Sequence, residues 1–186
     1  MAEADERPAD IDLIAVSIGP GAFTGIRLGL ATARAMALAQ DIPCIGILTT
    51  EALAAGIPQV EPTETILSVL DSKRGDVYAQ AFDPTMKAVA DPEALPPDGV
   101  PSYLADHAGE GRLCVLAGDV QPAVAAVLSA ERWAVRQTGV VAPDAAVVAG
   151  LAAARWRPGD RLAPPAPLYL RPPDAVIPAN GGRLRG

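Results

Sequence analysis

Few side chains in this sequence are equipped for chemistry, and they gather in three places. The first is Gly19-Pro-Gly-Ala-Phe-Thr-Gly-Ile-Arg27. Gly19 and Gly21 permit backbone conformations closed to other residues, and Pro20 stiffens the turn between them. Thr24 is placed to cap a following helix by accepting a backbone N–H. Free N–H groups at such a helix start attract anions, which makes Gly19, Gly21 and Thr24 the candidate phosphate or ligand turn. The spacing is neither a Walker loop, which needs Gly-Lys-Ser/Thr, nor a dinucleotide fingerprint. A purely structural strand-to-helix turn therefore competes with phosphate contact.

The second place is Asp71-Ser-Lys-Arg-Gly-Asp76, a charged turn whose Arg74 and Asp76 are weaker candidates for contact with a ligand or partner. The third is Gly118-Asp119. Phosphoryl transfer needs a carboxylate and a metal, and Asp71 and Asp119 are the acids best placed to supply them; a plain turn is the alternative at each. His107 is the single histidine. No histidine pair spaced for zinc or iron occurs, and no serine sits in a nucleophile elbow. The residues thus offer no catalytic relay and no metal site.

The elements that must position these turns follow from hydrophobic pattern. Residues 11–18 form an almost wholly apolar run, suited to a strand buried on both faces of a parallel sheet. A helix over Thr24 to Gln40 follows, in which Gly25, Gly29, Ala33 and Ala37 recur every four residues. Glycine inside a helix costs roughly 1 kcal/mol relative to alanine, so a compensating close approach is expected. A neighbouring helix packing into the small-residue groove supplies one, and packing on the protein's own sheet is the alternative. Leu28, Leu30, Met36 and Leu38 spread apolar character around the rest of the helix, which predicts two buried faces.

Pro43 to Leu48 reads as a second parallel strand. Thr49 or Thr50 is expected to cap a short helix over 51–55, ended by Gly56 and Pro58. The proline-interrupted stretch 59–64 divides the chain into two parts. Thr65–Leu70 and Val77–Phe82 read as a β-hairpin around the charged turn, with Gly75 left-handed and the second strand half-buried. Residues 83–111 read as loops with a short helix near 101–108. A strand over 112–119, a helix over 121–129, a strand near 133–136 and a helix over 143–156 follow.

Half of the 186 residues are hydrophobic and only 4% aromatic, so the core is expected to consist of small aliphatic side chains. A net charge of −7 argues against a broad nucleic-acid footprint, although arginines crowd the last fifth of the chain. Cys44 and Cys114 lie in apolar runs and read as buried thiols rather than a disulfide. The acidic N-terminus does not resemble a signal peptide, and no apolar run reaches the ~18 residues of a membrane span. These features point to a cytoplasmic protein.

Four segments together carry a resemblance: Gly19 to Ala31, Ile42-Pro-Cys-Ile-Gly-Ile-Leu-Thr-Thr-Glu-Ala-Leu53, Leu70-Asp-Ser-Lys-Arg-Gly-Asp-Val-Tyr-Ala-Gln80, and Pro167-Leu-Tyr-Leu-Arg-Pro172. In this order they resemble the TsaB (YeaZ) family, over essentially the whole chain from residue 10. That resemblance implies an α/β fold of the actin-like, RNase H-like (ASKHA) type with two subdomains. By it, residues 1–62 are the remainder of the N-terminal subdomain, 63–175 the C-terminal subdomain and 176–186 a disordered tail. The family's first three strands and first helix, with an Asp-Thr-Ser phosphate motif, have no counterpart, so the chain reads as N-terminally truncated and Met1 as an internal position of the family's frame.

The function implied is a non-catalytic scaffold and dimerisation subunit of the complex that makes N6-threonylcarbamoyladenosine at position 37 of tRNA. It would pair with a TsaD-like catalytic subunit, with a TsaE-like ATPase joining, tRNA engaged only indirectly and a homodimer as a further option. Gly25, Arg27, Gly29, Leu30, Ala33 and Ala37 are the expected partner interface. No cofactor is required by this reading, though ATP or ADP at the partner interface is compatible with it. The alternative function is a nucleotide-binding ATPase or phosphotransferase of the same fold.

Overall fold

The structure is a computed structural model that describes residues 7–108, 111–160 and 162–171. Two sheets divide it. The first holds β1 (Ile14–Ser17) and β2 (Cys44–Ile47), paired in parallel with Ile14 opposite Cys44. Between them runs α1 (Phe23–Gln40), an 18-residue helix. Parallel neighbours need such a crossover, and α1 supplies it.

The second sheet has five strands in the order β5-β4-β3-β6-β7. Here β3 (Thr65–Asp71) and β4 (Val77–Phe82) form the antiparallel hairpin expected, and β5 (Glu93–Leu95) adds to β4. On the other side β6 (Leu113–Ala117) and β7 (Ala134–Gln137) run parallel to β3. The period-2 rule sorts the core cleanly. Leu67, Val69, Ala79, Cys114 and Leu116 face α3 (Val100–His107) and α4 (Gln121–Ala130) in one cluster, whereas Ile66, Leu70, Phe82, Val115 and Ala117 meet α2 (Thr49–Ala55) in another. Both faces are covered, so β4 is almost wholly buried and not half-buried as its alternation suggests.

The first sheet departs from expectation in the opposite sense. Each residue of β1 is only half-buried, because β2 is its sole strand neighbour among the described residues. Its faces are covered by α1, through Ala33 and Ala37, and by α5 (Ala145–Arg155), through Val148 and Ala152. An apolar cleft of about 520 Å³ runs between β1 and α5. The chain thus returns to the first sheet after completing the second, and the expected assignment of everything from 63 to 175 to one subdomain does not describe where α5 sits. The tail over 176–186 lies outside the described residues.

Several local expectations need correction. The N-cap of α1 is Ala22, not Thr24, and the N-cap of α2 is Leu48, with Thr49 and Thr50 inside the helix; neither cap makes a side-chain hydrogen bond. Thr50 is instead buried against the Gln80 side chain. Strand β5 was hidden in a loop-like sequence because it is three residues long and lies at a sheet edge.

Candidate functional site

Three of the four resemblance segments converge although they are far apart in sequence. Gly19 adopts φ 108°, and a Cβ there would stand 2.9 Å from the Leu168 carbonyl oxygen. Only glycine fits that approach without a shift. The turn is pinned from both sides: Thr49 N–H donates to Gly19 O at 2.7 Å, and Leu168 N–H donates to Ile18 O at 2.8 Å. The Gly19–Pro20 peptide is cis.

Residues 168–171 therefore lie across the start of α1. Arg27 Nε donates to Tyr169 Oη at 2.6 Å, and its guanidinium stacks 3.7 Å from the Phe23 ring centroid. The Phe23 and Tyr169 rings are 5.3 Å apart. Arg27 thus ties the glycine turn to the segment 168–171. From the second sheet the β3–β4 tip reaches the same place, and Arg171 pairs with Asp76. Together these segments enclose an open cleft of about 550 Å³ lined by Arg27, Lys73, Arg74 and Arg171 among the cations, by Phe23, Tyr78 and Tyr169 among the rings and, among the described residues, by no carboxylate.

At the tip, Lys73 and Gly75 take positive φ, the latter as expected. Asp71 accepts from Lys73 Nζ at 2.8 Å and from the Lys73 N–H at 2.6 Å. These bonds hold the Asp71 carboxyl below its ordinary value and raise the Lys73 ammonium. Asp119 Oδ1 accepts the Asp71 N–H at 2.9 Å. The structure thus brings together Asp71 and Asp119, which sequence offered separately, and places Lys73 beside them. Among the described residues no group of three or more His, Cys, Asp or Glu side chains could hold a metal.

The interface candidates separate into two sets. Leu30, Ala33 and Ala37 are buried within this chain, the two alanines against its own first sheet. Gly25 and Gly29 are exposed, and neither is forced by packing: a Cβ on Gly29 would make an ordinary 3.9 Å contact with Val16, and one on Gly25 would meet only Ala22 of its own turn. The expected second buried face of α1 is not buried within this chain. Leu28, Met36 and Leu38 are 68%, 46% and 83% exposed, and with Gly25, Thr32 and Ala35 they make an outward surface without a charge.

The remaining candidates are structural. His107 is half-buried, with Nδ1 2.8 Å from Tyr103 O and its ring 4.7 Å from the Tyr103 ring. Both cysteines are free and buried, and burial raises both thiols, that of Cys114 well above its ordinary range. The arginine-rich C-terminal stretch is dispersed: Arg155 pairs with Glu51, Arg171 with Asp76, and Arg161, Arg183 and Arg185 lie outside the described residues. No helix among the described residues is long and apolar enough to cross a membrane.

Comparison with known proteins agrees with this architecture. The family model described as "TsaD: tRNA N6-adenosine threonylcarbamoyltransferase" matches residues 1–97. An uncharacterized protein of Mycobacterium tuberculosis is 32% identical over 178 residues, covering 94% of this chain and 71% of its own length. The Escherichia coli tRNA threonylcarbamoyladenosine biosynthesis protein TsaB is 36% identical over 69 residues, which is 37% of this chain and 30% of that protein. A Pseudomonas aeruginosa crystal structure described as similar to the peptidase YeaZ superposes with a TM-score of 0.72 over 91% of this chain and 78% of its own, at 24% identity, and so shares the α/β fold. With the glycine turn, the hairpin tip and the Leu-Tyr-Leu-Arg segment assembled as one surface, the chain belongs to the TsaB (YeaZ) family, within the group that the TsaD model describes.

Proposed function

We propose that this protein is a non-catalytic subunit in the formation of N6-threonylcarbamoyladenosine on tRNA, and that it pairs with a TsaD-like catalytic subunit through the outer face of α1. The observation that carries this reading is that face: an 18-residue helix presents Leu28, Met36 and Leu38 to solvent beside two glycines that its own packing does not require. A contiguous exposed apolar surface marks an interaction site, and glycines facing outward allow a partner helix to approach closely. The name of the E. coli relative supplies the pathway. A TsaE-like ATPase joins the pair, tRNA reaches the assembly through the catalytic subunit, and any ATP or ADP lies at the boundary with the partner. The subunit acts in the cytoplasm.

Co-purification with the TsaD-like subunit of the same organism tests the reading. The double substitution Leu28→Glu with Ala35→Glu is expected to abolish the pair while leaving the isolated protein folded, since both positions are exposed. Pairing that survives it, or no pairing with the natural chain, overturns the proposal.

One observation favours a second reading, as an ATP-hydrolysing or phosphoryl-transferring enzyme: Asp71, Asp119 and Lys73 meet at the hairpin tip beside the cleft. Mg-ATP hydrolysis by the isolated protein that Asp119→Ala abolishes would establish it. A background rate leaves the scaffold reading in place.

A further inference from the structure

We infer that the cleft between the glycine turn, the β3–β4 tip and residues 168–171 binds a stretch of unpaired RNA, with phosphates held on its cationic rim and a base stacked on Phe23 or Tyr169. This goes beyond the pairing proposed above, in which tRNA is engaged only through the partner, and it concerns a different surface from the outer face of α1.

The argument begins with charge. The molecule carries −7 overall, yet Arg27, Lys73, Arg74 and Arg171 line one cleft, and no Asp or Glu among the described residues lines it. Two of these cations also hold carboxylates at the edge of the cleft, Lys73 that of Asp71 and Arg171 that of Asp76, while Asp119 accepts the Asp71 N–H. Four cations from three separate segments against these two paired carboxylates leave a local excess of positive charge, which favours a polyanion within an acidic protein.

Next come the rings. Phe23 and Tyr169 are 48% and 42% exposed, although aromatic side chains are scarce in this chain. Arg27 is stacked on Phe23 from one side and fixed by its Nε–Tyr169 bond, so the pair is held in place before any ligand arrives. Exposed aromatic faces beside a row of cations are what single-stranded nucleic-acid grooves are built from.

Openness decides between a polynucleotide and a small free nucleotide. A site for a small molecule buries most of its ligand's surface, whereas here the Lys73 side chain is 72% exposed and the rings stand half in solvent. Cations spread along an open rim match successive phosphates of a chain. An acidic peptide would satisfy the cations but leave the rings without a stacking partner.

Binding of a fluorescently labelled, unstructured oligouridine to the full chain, followed by anisotropy across a salt series, tests the inference. Expected is an affinity that falls with salt at a log–log slope of about −2, as for three phosphate contacts. Lys73→Glu with Arg74→Glu should weaken binding at least about tenfold, and Phe23→Ala should weaken it by a similar factor through lost stacking. Arg132→Glu serves as the control: Arg132 precedes β7, at the end of the second sheet opposite the hairpin tip, and should change nothing. Thermal melting of each variant separates lost binding from lost fold, and crosslinking of 4-thiouridine RNA, mapped by peptide, should mark Phe23 or Tyr169. No binding, equal loss in the Arg132 control, competition by AMP at the concentration of the oligomer, or equal affinity for polyglutamate would each overturn the proposal.

Discussion

The tightest constraints act at single residues. Gly118 takes φ 122°, and a Cβ there would lie 1.7 Å from the Val69 carbonyl oxygen. The clash cannot be relieved by a side-chain rotation, because the Val69 oxygen belongs to the backbone of β3 and Gly118 directly follows β6. Gly118→Ala is expected to cost more than about 4 kcal/mol, in the exceptional range for point substitutions, and to leave little folded protein by circular dichroism. A second constraint is ionic. Glu64, 3% exposed in its side chain, accepts from Arg136 Nε at 2.6 Å and from Arg136 Nη2 at 2.5 Å, which ties the connector before β3 to β7. The Arg136 side chain holds the Glu64 carboxyl below its ordinary 4.5. A carboxyl lowered in the folded state binds its proton more readily in the unfolded state, so its contribution is complete well above pH 4.5 and disappears as pH falls through the lowered folded value. Arg136→Ala should therefore destabilise by about 1–3 kcal/mol at pH 7, and the gap from wild type should narrow in urea unfolding at pH 3. These residues were not legible in sequence: Gly118 looked like one more turn glycine, and nothing in Glu64 or Arg136 announces a partner 72 positions away.

Elements were more readable than their surroundings. The hairpin could be found because alternation on both strands flanks a turn with glycine at the left-handed position, and Gly75 does take φ 86°. Helix α1 could be found from its length and composition, yet which of its faces meets the sheet could not. The every-fourth-residue pattern runs through Gly25, Gly29, Ala33 and Ala37, but only the two alanines are buried. A 3.6-residue helix rotates a four-residue repeat steadily around its axis, so the stripe leaves the sheet toward the N-terminal end of α1 and becomes surface. The two halves of the stripe have different tasks, and substitution separates them. Gly25→Ala relieves the helix of a poor former and should stabilise the isolated protein by about 0.5–1 kcal/mol, while weakening its complex with the TsaD-like subunit in a pull-down titration. Ala33→Gly acts on the buried half and should lower the melting temperature without a separate effect on pairing.

At the scale of the molecule, the two sheets are joined without a large shared core. Helix α2 links them by placing Ala52 in the cluster with α5 and the first sheet, and Leu53 and Ala54 in the cluster with the second. The Glu51–Arg155 pair and the buried Thr50–Gln80 contact strengthen the same bridge, and the hydroxyl of Ser68 on β3 donates to the Thr50 carbonyl at 2.6 Å. The sequence, with its proline-interrupted connector over 59–64, suggested two serial parts; it could not reveal that α5 returns to the first sheet, since an alanine- and valine-rich helix does not specify which sheet it covers. Because α2 contributes to both clusters, neither sheet can lose its packing without exposing apolar surface on the other, and unfolding should be a single transition. The two tryptophans allow this to be read directly. Trp133 is buried in the cluster of the second sheet, and Trp156 caps α5 on the first. Single-tryptophan variants, Trp156→Phe to observe Trp133 and Trp133→Phe to observe Trp156, should each give fluorescence and circular dichroism curves that coincide in urea. Trp156→Phe should cost little, since the Trp156 indole N–H is buried without a hydrogen-bond partner and its removal leaves no group unsatisfied. Adding Gln80→Leu breaks the Thr50 contact, and the first-sheet probe should then melt at lower urea than the second. Two separate transitions in the otherwise unaltered chain would show that α2 couples the sheets too weakly to make them one folding unit.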